Sequence, residues 1–124
     1  MESLLVVTAV LEGATGLTLL VSPAVLVALL LGSSLETPAA LTVGRVAGAA
    51  VLALSIAGWL ARHDGRAATG LIAALLVYNV AVAAILAFTG FGSGTVGIAL
   101  WPVVVLHAAP AVWCVGGLRA GGSR

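Results

Sequence analysis

The sequence predicts an all-α integral membrane protein built as a four-helix transmembrane bundle. Hydrophobic residues make up 62% of the 124 residues and charged residues only 7%, whereas soluble domains are about half apolar and about a quarter charged. The mean hydropathy is +1.27. A chain of this length has room for about four apolar spans of about 20 residues each, so we expect a single membrane domain over residues 1–124.

The apolar run at 4–31 is too long for one upright span, since its helix would measure about 42 Å against a hydrocarbon core of about 30 Å. Ser22 and Pro23 predict a break, because serine is a favoured N-cap and proline a favoured first helical residue. We therefore predict a first span at about 3–21 and a short apolar interfacial helix at 23–31. The alternative is one long tilted helix with a kink at Pro23.

The other spans are separated by one charged and one glycine-rich segment. The charged segment, 62–66, contains His63 and Asp64, which we interpret as a turn and a helix boundary rather than a catalytic pair. The glycine-rich segment, 89–94, is interpreted as a flexible turn, because it lacks the Gly-Lys-Ser/Thr that ends a phosphate-binding loop. The predicted spans are about 38–61, 67–88 and 95–118, with a loose tail after them.

The charges also predict orientation and exclude some partners. Four arginines fall at one side of the predicted bundle, and the opposite loops contain Glu36 and no basic residue. Because cytoplasmic loops carry the excess of basic residues, we expect both termini in the cytoplasm. The absence of lysine and the richness in small apolar residues favour a bacterial inner membrane. A formal net charge of +1 argues against nucleic-acid binding, and Glu2 argues against a signal peptide, which needs a basic start.

Each predicted span carries a strong polar group at a similar depth. Glu12 lies about 13 Å below the outer end of the first span, and Arg45 about 10 Å below that of the second. Asn79 and His107 lie at comparable depths in the third and fourth spans, and Tyr78 adds a hydroxyl. An unpaired charge at the bilayer centre costs about 2.5–3.5 kcal/mol on insertion scales, so these side chains should face one another.

This polar cluster has two interpretations. In the first, Glu12 and Arg45 form a buried ion pair, and Asn79 and His107 complete a network that fixes helix pairing without chemistry. In the second, the cluster is a pocket for a polar-headed lipophile such as a quinone, or a proton path. Glu12 would then accept a proton or hydrogen bond, Arg45 would be its counter-ion, and His107 would change charge near neutral pH.

Small residues on the same faces predict close helix packing. We expect Gly13 and Gly16 in the first span, and Gly44 and Gly48 in the second, to be packing positions, the latter two forming a GxxxG pattern. The same face could instead join copies of the chain, so an oligomeric pore or transporter is a further alternative.

The fourth span carries two prolines and a histidine. Pro102 and Pro110 are each expected to release a helix carbonyl, the latter beside His107. A zinc site needs three or four ligands, so we predict no metal site from His107, Glu12 and the distant Cys114. We interpret Cys114 as a packing residue. A lone histidine could hold haem and the cluster a quinone, but we predict no cofactor.

The order of features resembles a known group. In chain order, these features are Gly16-Leu17, Ser22-Pro23, Leu31-Gly32, the segment 44–48 and the segment 59–62. Their order resembles that of small bacterial four-helix membrane proteins of the DoxX-like kind and related uncharacterised families. The resemblance implies this architecture and an arginine at Arg45. It also implies, for some members, an association with quinone-linked respiratory or sulfur-oxidising complexes. It supplies no catalytic residue.

The sequence names no reaction, because patterns for serine hydrolases, kinases and dinucleotide binding are absent. We expect a non-enzymatic accessory or scaffold protein with a buried polar network. The lipid bilayer is its expected environment, with a membrane-protein partner or a second copy of the chain as further partners. The alternative is a protein that handles a quinone-like lipophile or protons and is linked to respiratory electron transfer.

Overall fold

The computed structural model describes residues 1–92 and 96–121, and these ranges form five α-helices. In chain order they are α1 (Glu2–Val21), α2 (Pro23–Leu31), α3 (Pro38–Ala61), α4 (Gly65–Gly92) and α5 (Leu100–Gly121). All but the short α2 are long and apolar enough to cross a membrane. The predicted all-α fold with four such helices is confirmed, and the chain is a multi-pass membrane protein by composition.

The break after α1 falls at Ser22. This residue has φ −139° and ψ 63°, outside the helical region, and Pro23 is the first residue of α2. The Ser22 side chain makes no capping hydrogen bond, so the break comes from its backbone and from the proline ring. The separate short helix is thus confirmed, and the single kinked helix is not formed. Gly32 ends α2 with φ 70°, a conformation that glycine adopts without steric cost.

Helix α4 begins at Gly65, two residues earlier than predicted, because Asp64 caps it. The Asp64 carboxylate accepts hydrogen bonds from the amides of Arg66 and Ala67, both at 3.0 Å. These amides have no partner within the helix, which is why aspartate is favoured at this position. The interpretation of Asp64 as a helix boundary is confirmed.

The C-terminal end of α4 lies beyond the predicted one. Residues 89–92, predicted as part of a flexible turn, are helical. A methyl group on Gly90 would lie 2.9 Å from a Leu100 methyl carbon and 3.0 Å from the Trp101 ring, so glycine here lets the start of α5 pack closely. Phe91 packs edge-on against Trp101 with ring centroids 5.0 Å apart. The other residues of the predicted turn, 93 and 94, lie outside the described residues, as do residue 95 at the start of the predicted fourth span and 122–124 of the predicted tail.

The fourth predicted span was expected to begin near residue 95, but α5 begins at Leu100. The amides of Gly97 and Ala99 donate to the carbonyls of Leu30 and Leu29, at 3.0 and 2.9 Å. These bonds hold the chain before α5 against the end of α2, in a non-helical conformation.

The two prolines of α5 differ in their effect. Pro102 lies in the first helical turn, where an amide has no helical partner to lose, so the prediction that it releases a carbonyl is wrong. Pro110 lies inside the helix and removes the donor for the carbonyl of Leu106.

The long helices associate as two pairs. Helix α1 packs mainly against α3, and α4 mainly against α5, whereas contact between the pairs is sparser. At the end of the bundle that holds the N-terminus, the pairs share a buried apolar core that includes Cys114, which is 0% exposed. Cys114 is therefore a packing residue, as interpreted. At the same end, Glu2 and His63 approach to 3.6 Å on the surface.

The α1–α3 contact is close enough for backbones to touch. A methyl group on Gly16 would lie 2.7 Å from the Leu52 amide nitrogen, and one on Gly48 would lie 2.8 Å from that of Leu20. The other two glycines expected at packing positions also make close contacts, Gly13 with Ser55 and Gly44 with Pro23.

Candidate functional site

Four of the five predicted polar residues meet between the two helix pairs. The Tyr78 hydroxyl donates to Glu12 Oε2 at 3.1 Å, and His107 Nδ1 lies 2.8 Å from Asn79 Oδ1. The Tyr78 and His107 rings pack edge to face with centroids 5.6 Å apart, which joins the two hydrogen-bonded pairs. Helices α1, α4 and α5 therefore contribute to one cluster, in which Glu12 is 5% exposed and Asn79 1%.

The hydrogen bonds of Asn79 determine the roles of the His107 nitrogens. The Asn79 amide nitrogen donates to the Leu75 carbonyl at 2.8 Å, so its Oδ1 is the acceptor toward His107. His107 Nδ1 is then the donor, and Nε2 of the neutral imidazole is an acceptor. No described residue hydrogen-bonds to Nε2.

The fifth residue, Arg45, is not in the cluster. Its side chain is exposed on the outside of α3, and within the described residues the only ion pair is that of Glu2 with His63. The predicted ion pair between Glu12 and Arg45 is therefore wrong.

Helical geometry explains the separation of the two charges. On α1, Gly13 and Gly16 face α3, whereas Glu12 faces Tyr78 on α4. On α3, Gly44 and Gly48 face α2 and α1, and Arg45 follows Gly44 at about 100° around the helix. The prediction compared only depths along the helix axes, and depth carries no information about which helix face meets which neighbour.

A small cavity adjoins the cluster. Its volume is about 20 Å³, which is room for about one water molecule. Glu12, Asn79 and His107 line it, together with Thr8, Thr15, Leu11, Leu106 and Pro110. Pro110 leaves the Leu106 carbonyl without its helical donor at this wall.

A larger cavity lies on the side of the cluster nearer α2. Its volume is about 180 Å³, and most of its lining is aliphatic. Three polar side chains line it, those of Thr15, Tyr78 and His107. The aliphatic lining comes from four helices: Leu19 of α1, Leu26 and Leu30 of α2, Val82 and Leu86 of α4, and Val103 and Leu106 of α5.

Thr15 lines both cavities and behaves differently from the other spanning-helix threonines. Thr8, Thr18, Thr42, Thr69 and Thr89 each donate their hydroxyl to a carbonyl four residues earlier. Thr15 makes no such bond to a described residue. Every fully buried side-chain nitrogen and oxygen of the described residues has a partner, so the Thr15 hydroxyl is accessible from a cavity.

The site thus offers both a donor and acceptors to a guest. The Thr15 hydroxyl is a free donor, and His107 Nε2 and the Tyr78 oxygen are acceptors at the large cavity. The second Glu12 oxygen has no partner among the described residues and lies at the small cavity. The described residues contain no group of three metal-ligating side chains.

Sequence reasoning missed Thr15 as a site residue. Its position three residues after Glu12, on the same helix face, was the available signal. What the sequence did not reveal was the cavity in front of it, because that depends on the spacing between the helix pairs.

Comparison with known proteins adds no relative. No family description, curated protein or solved structure matches this chain. The resemblance to DoxX-like proteins is therefore limited to a four-helix apolar layout.

Proposed function

We propose that this protein binds a lipophilic small molecule whose head carries hydrogen-bonding oxygens, with quinones and quinols as the chemical class. The observation that carries the proposal is the cavity of about 180 Å³ between the helix pairs, with aliphatic walls and the polar groups of Thr15, Tyr78 and His107. Ligand sites commonly combine such walls with a few polar groups that fix orientation.

The cavity volume limits the size of the head. A cavity of about 150 Å³ holds a benzene ring, so this one suits a single substituted ring. A quinone carbonyl would accept from the Thr15 hydroxyl, and a quinol hydroxyl would donate to His107 Nε2. A long tail does not fit in the same space and would extend past α2 into the bilayer.

The proposal is tested by extracting purified protein with organic solvent and identifying the extract by mass spectrometry, alongside an absorbance spectrum. Val82 lines the cavity, whereas Val80 on the same helix is 51% exposed. Val82→Phe therefore places a ring in the cavity, and the control Val80→Phe places the same ring on the outer surface. We expect a near-stoichiometric lipophile from wild type and from Val80→Phe, and little from Val82→Phe. Equal amounts from all three, or ordinary phospholipid alone, would contradict the proposal.

A non-enzymatic scaffold protein is the second candidate. It is supported by the state of the fully buried polar side-chain atoms, because each of them in the described residues has a partner without a ligand. In this case the polar cluster fixes helix pairing, as interhelical hydrogen bonds do in membranes. A partner protein would then co-purify with wild type and with Val82→Phe equally.

We also propose a bacterial inner-membrane location with both termini in the cytoplasm, as the arginine distribution favours. A quinone in the cavity would also link the protein to quinone-dependent electron transfer. Labelling of single cysteines placed at Glu36 and at Arg66, in a Cys114→Ala background, tests the orientation. A membrane-impermeant reagent should label intact cells at position 36 and not at position 66.

A further inference from the structure

Arg45 is a charged side chain on the outer surface of a membrane-spanning helix. It is exposed, and its neighbours Val43 and Val46 are 68% and 64% exposed, so the surface around it is apolar. Charged residues in spans normally face the bundle interior and pair there. No described residue pairs with Arg45, so its guanidinium is open to a group beyond the described residues.

The position of Arg45 along α3 shows which side of the membrane it can reach. It lies seven residues after Pro38, the first residue of α3, and therefore about 10 Å along the helix axis. Side chains lean toward the N-terminus of their helix, which here means toward the nearer membrane surface. An arginine bent this way keeps its stem in the hydrocarbon and brings its guanidinium to the headgroups.

The surroundings favour an anion at this point. Among the described residues at this end of the bundle, 22–37, 89–92 and 96–99 contain no lysine, arginine or histidine, so Arg45 is the cation that an anionic group would meet there. Thr42, one turn nearer the surface, donates its hydroxyl to the Pro38 carbonyl at 2.9 Å and has no second hydrogen to offer. The guanidinium fork of Arg45 is therefore the donor, and it matches a phosphate in geometry.

We propose that Arg45 binds the phosphate of a phospholipid in the leaflet near α2, and so forms a lipid site on the outer face of α3. This site is separate from the cavity at Thr15 and His107 and does not depend on it. A second copy of the chain is less favoured, because Glu36, the carboxylate nearest to Arg45 in the sequence, lies outside the helix, two residues before Pro38, whereas Arg45 lies about 10 Å along α3.

The test is native mass spectrometry of the delipidated protein in mild detergent, with dioleoyl phosphatidylglycerol added. Dioleoylglycerol, which has the same tails and no phosphate, is the lipid control. We expect wild type to retain the phospholipid about tenfold more than Arg45→Gln does, since a charge-assisted fork to phosphate is lost. Arg45→Lys, which keeps the charge, should fall between them.

The control variant is Arg62→Gln. Arg62 is at the other end of α3, where it stacks on the Trp59 ring at 4.1 Å and donates to the Trp59 carbonyl, so its loss should not change retention. If Arg45→Gln does not fold, Arg45→Lys decides: it should retain less phospholipid than wild type, and equal retention would overturn the proposal. The proposal would be overturned if wild type retained both lipids equally, or if wild type and Arg45→Gln retained the phospholipid equally. It would also be overturned if Arg45→Gln disrupted a dimer of the chain without changing phospholipid retention.

Discussion

The two interfaces of α1 differ in almost every physical respect. Toward α3, Gly16 and Gly48 bring the backbones into contact, and the Ser55 hydroxyl donates to the Ala9 carbonyl at 2.6 Å. Toward α4 and α5, α1 presents Glu12 and Thr15 to two cavities. In a bilayer, helices associate through close packing and hydrogen bonds rather than through the hydrophobic effect. The comparison indicates that the α1–α3 interface holds α1 in place, while the part of its other face beyond the buried Leu4 and Leu5 borders cavities.

The largest expected effect is on the close interface. Gly48→Ala would place a methyl group 2.8 Å from the Leu20 amide nitrogen, and backbone cannot move aside as a flexible side chain can. We expect a loss of about 2–3 kcal/mol in the free energy of unfolding, measured by reversible unfolding in mixed micelles. Gly70→Ala is the matched control, because nothing lies within 4 Å of its added carbon; an equal loss there would contradict the comparison.

The next largest effect is a coupling within the polar interface. Glu12→Ala and Tyr78→Phe both remove the 3.1 Å hydrogen bond, so the double variant should lose about 1 kcal/mol less than the sum of the singles. Glu12→Ala and Arg45→Ala should instead be additive within about 0.5 kcal/mol, because the two side chains do not meet. Coupling in the second cycle would restore the ion pair that the structure excludes.

A smaller effect is expected from the one hydrogen bond between α1 and α3 described above. Ser55→Ala removes the bond to the Ala9 carbonyl and leaves the backbone contacts of Gly16 and Gly48 in place. Interhelical bonds of this kind average about 0.6 kcal/mol in membranes, so the loss in unfolding free energy should be of that size. A loss as large as that of Gly48→Ala would mean that hydrogen bonding rather than close packing holds this interface.

The smallest effect on stability should come from the cavity wall. Thr15→Val keeps the side-chain shape and removes a hydroxyl that bonds to no described residue, so the unfolding free energy should change by less than about 0.5 kcal/mol. Binding of a quinone, measured by titration calorimetry in detergent, should weaken about tenfold. Thr18→Val is the control, since the Thr18 hydroxyl is exposed and bonds to the Ala14 carbonyl.

The sequence predicted the helices well and their contacts only in part. Composition identified the spans, and Pro23 placed the start of α2, because both signals act within a few residues. The ends of α4 were misjudged because they depend on the Asp64 cap and on the packing of Gly90 against the start of α5. The sequence around Gly90 does not show which residues it contacts.

The site was predicted to the extent that residue type and depth determine it. An intramembrane carboxylate, amide and imidazole must find polar partners, which is why Glu12, Tyr78, Asn79 and His107 meet. Which of them pair depends on the rotation of each helix about its axis. Arg45 shows the difference, because it is nearly level with Glu12 by residue count and yet lies on an outward face.

The most direct test of ligand binding in the cavity lined by Thr15, Tyr78 and His107 uses a benzoquinone that carries one short isoprenoid tail. The thermal stability of the purified protein is measured with this compound in its oxidised and reduced forms. A ligand that binds only the folded protein raises its stability by about 2.7 kcal/mol at a hundredfold excess over Kd. We predict that at least one form raises the unfolding temperature of wild type and of Val80→Phe and leaves that of Val82→Phe unchanged. No shift in wild type with either form, or an equal shift in Val82→Phe, would contradict binding in this cavity.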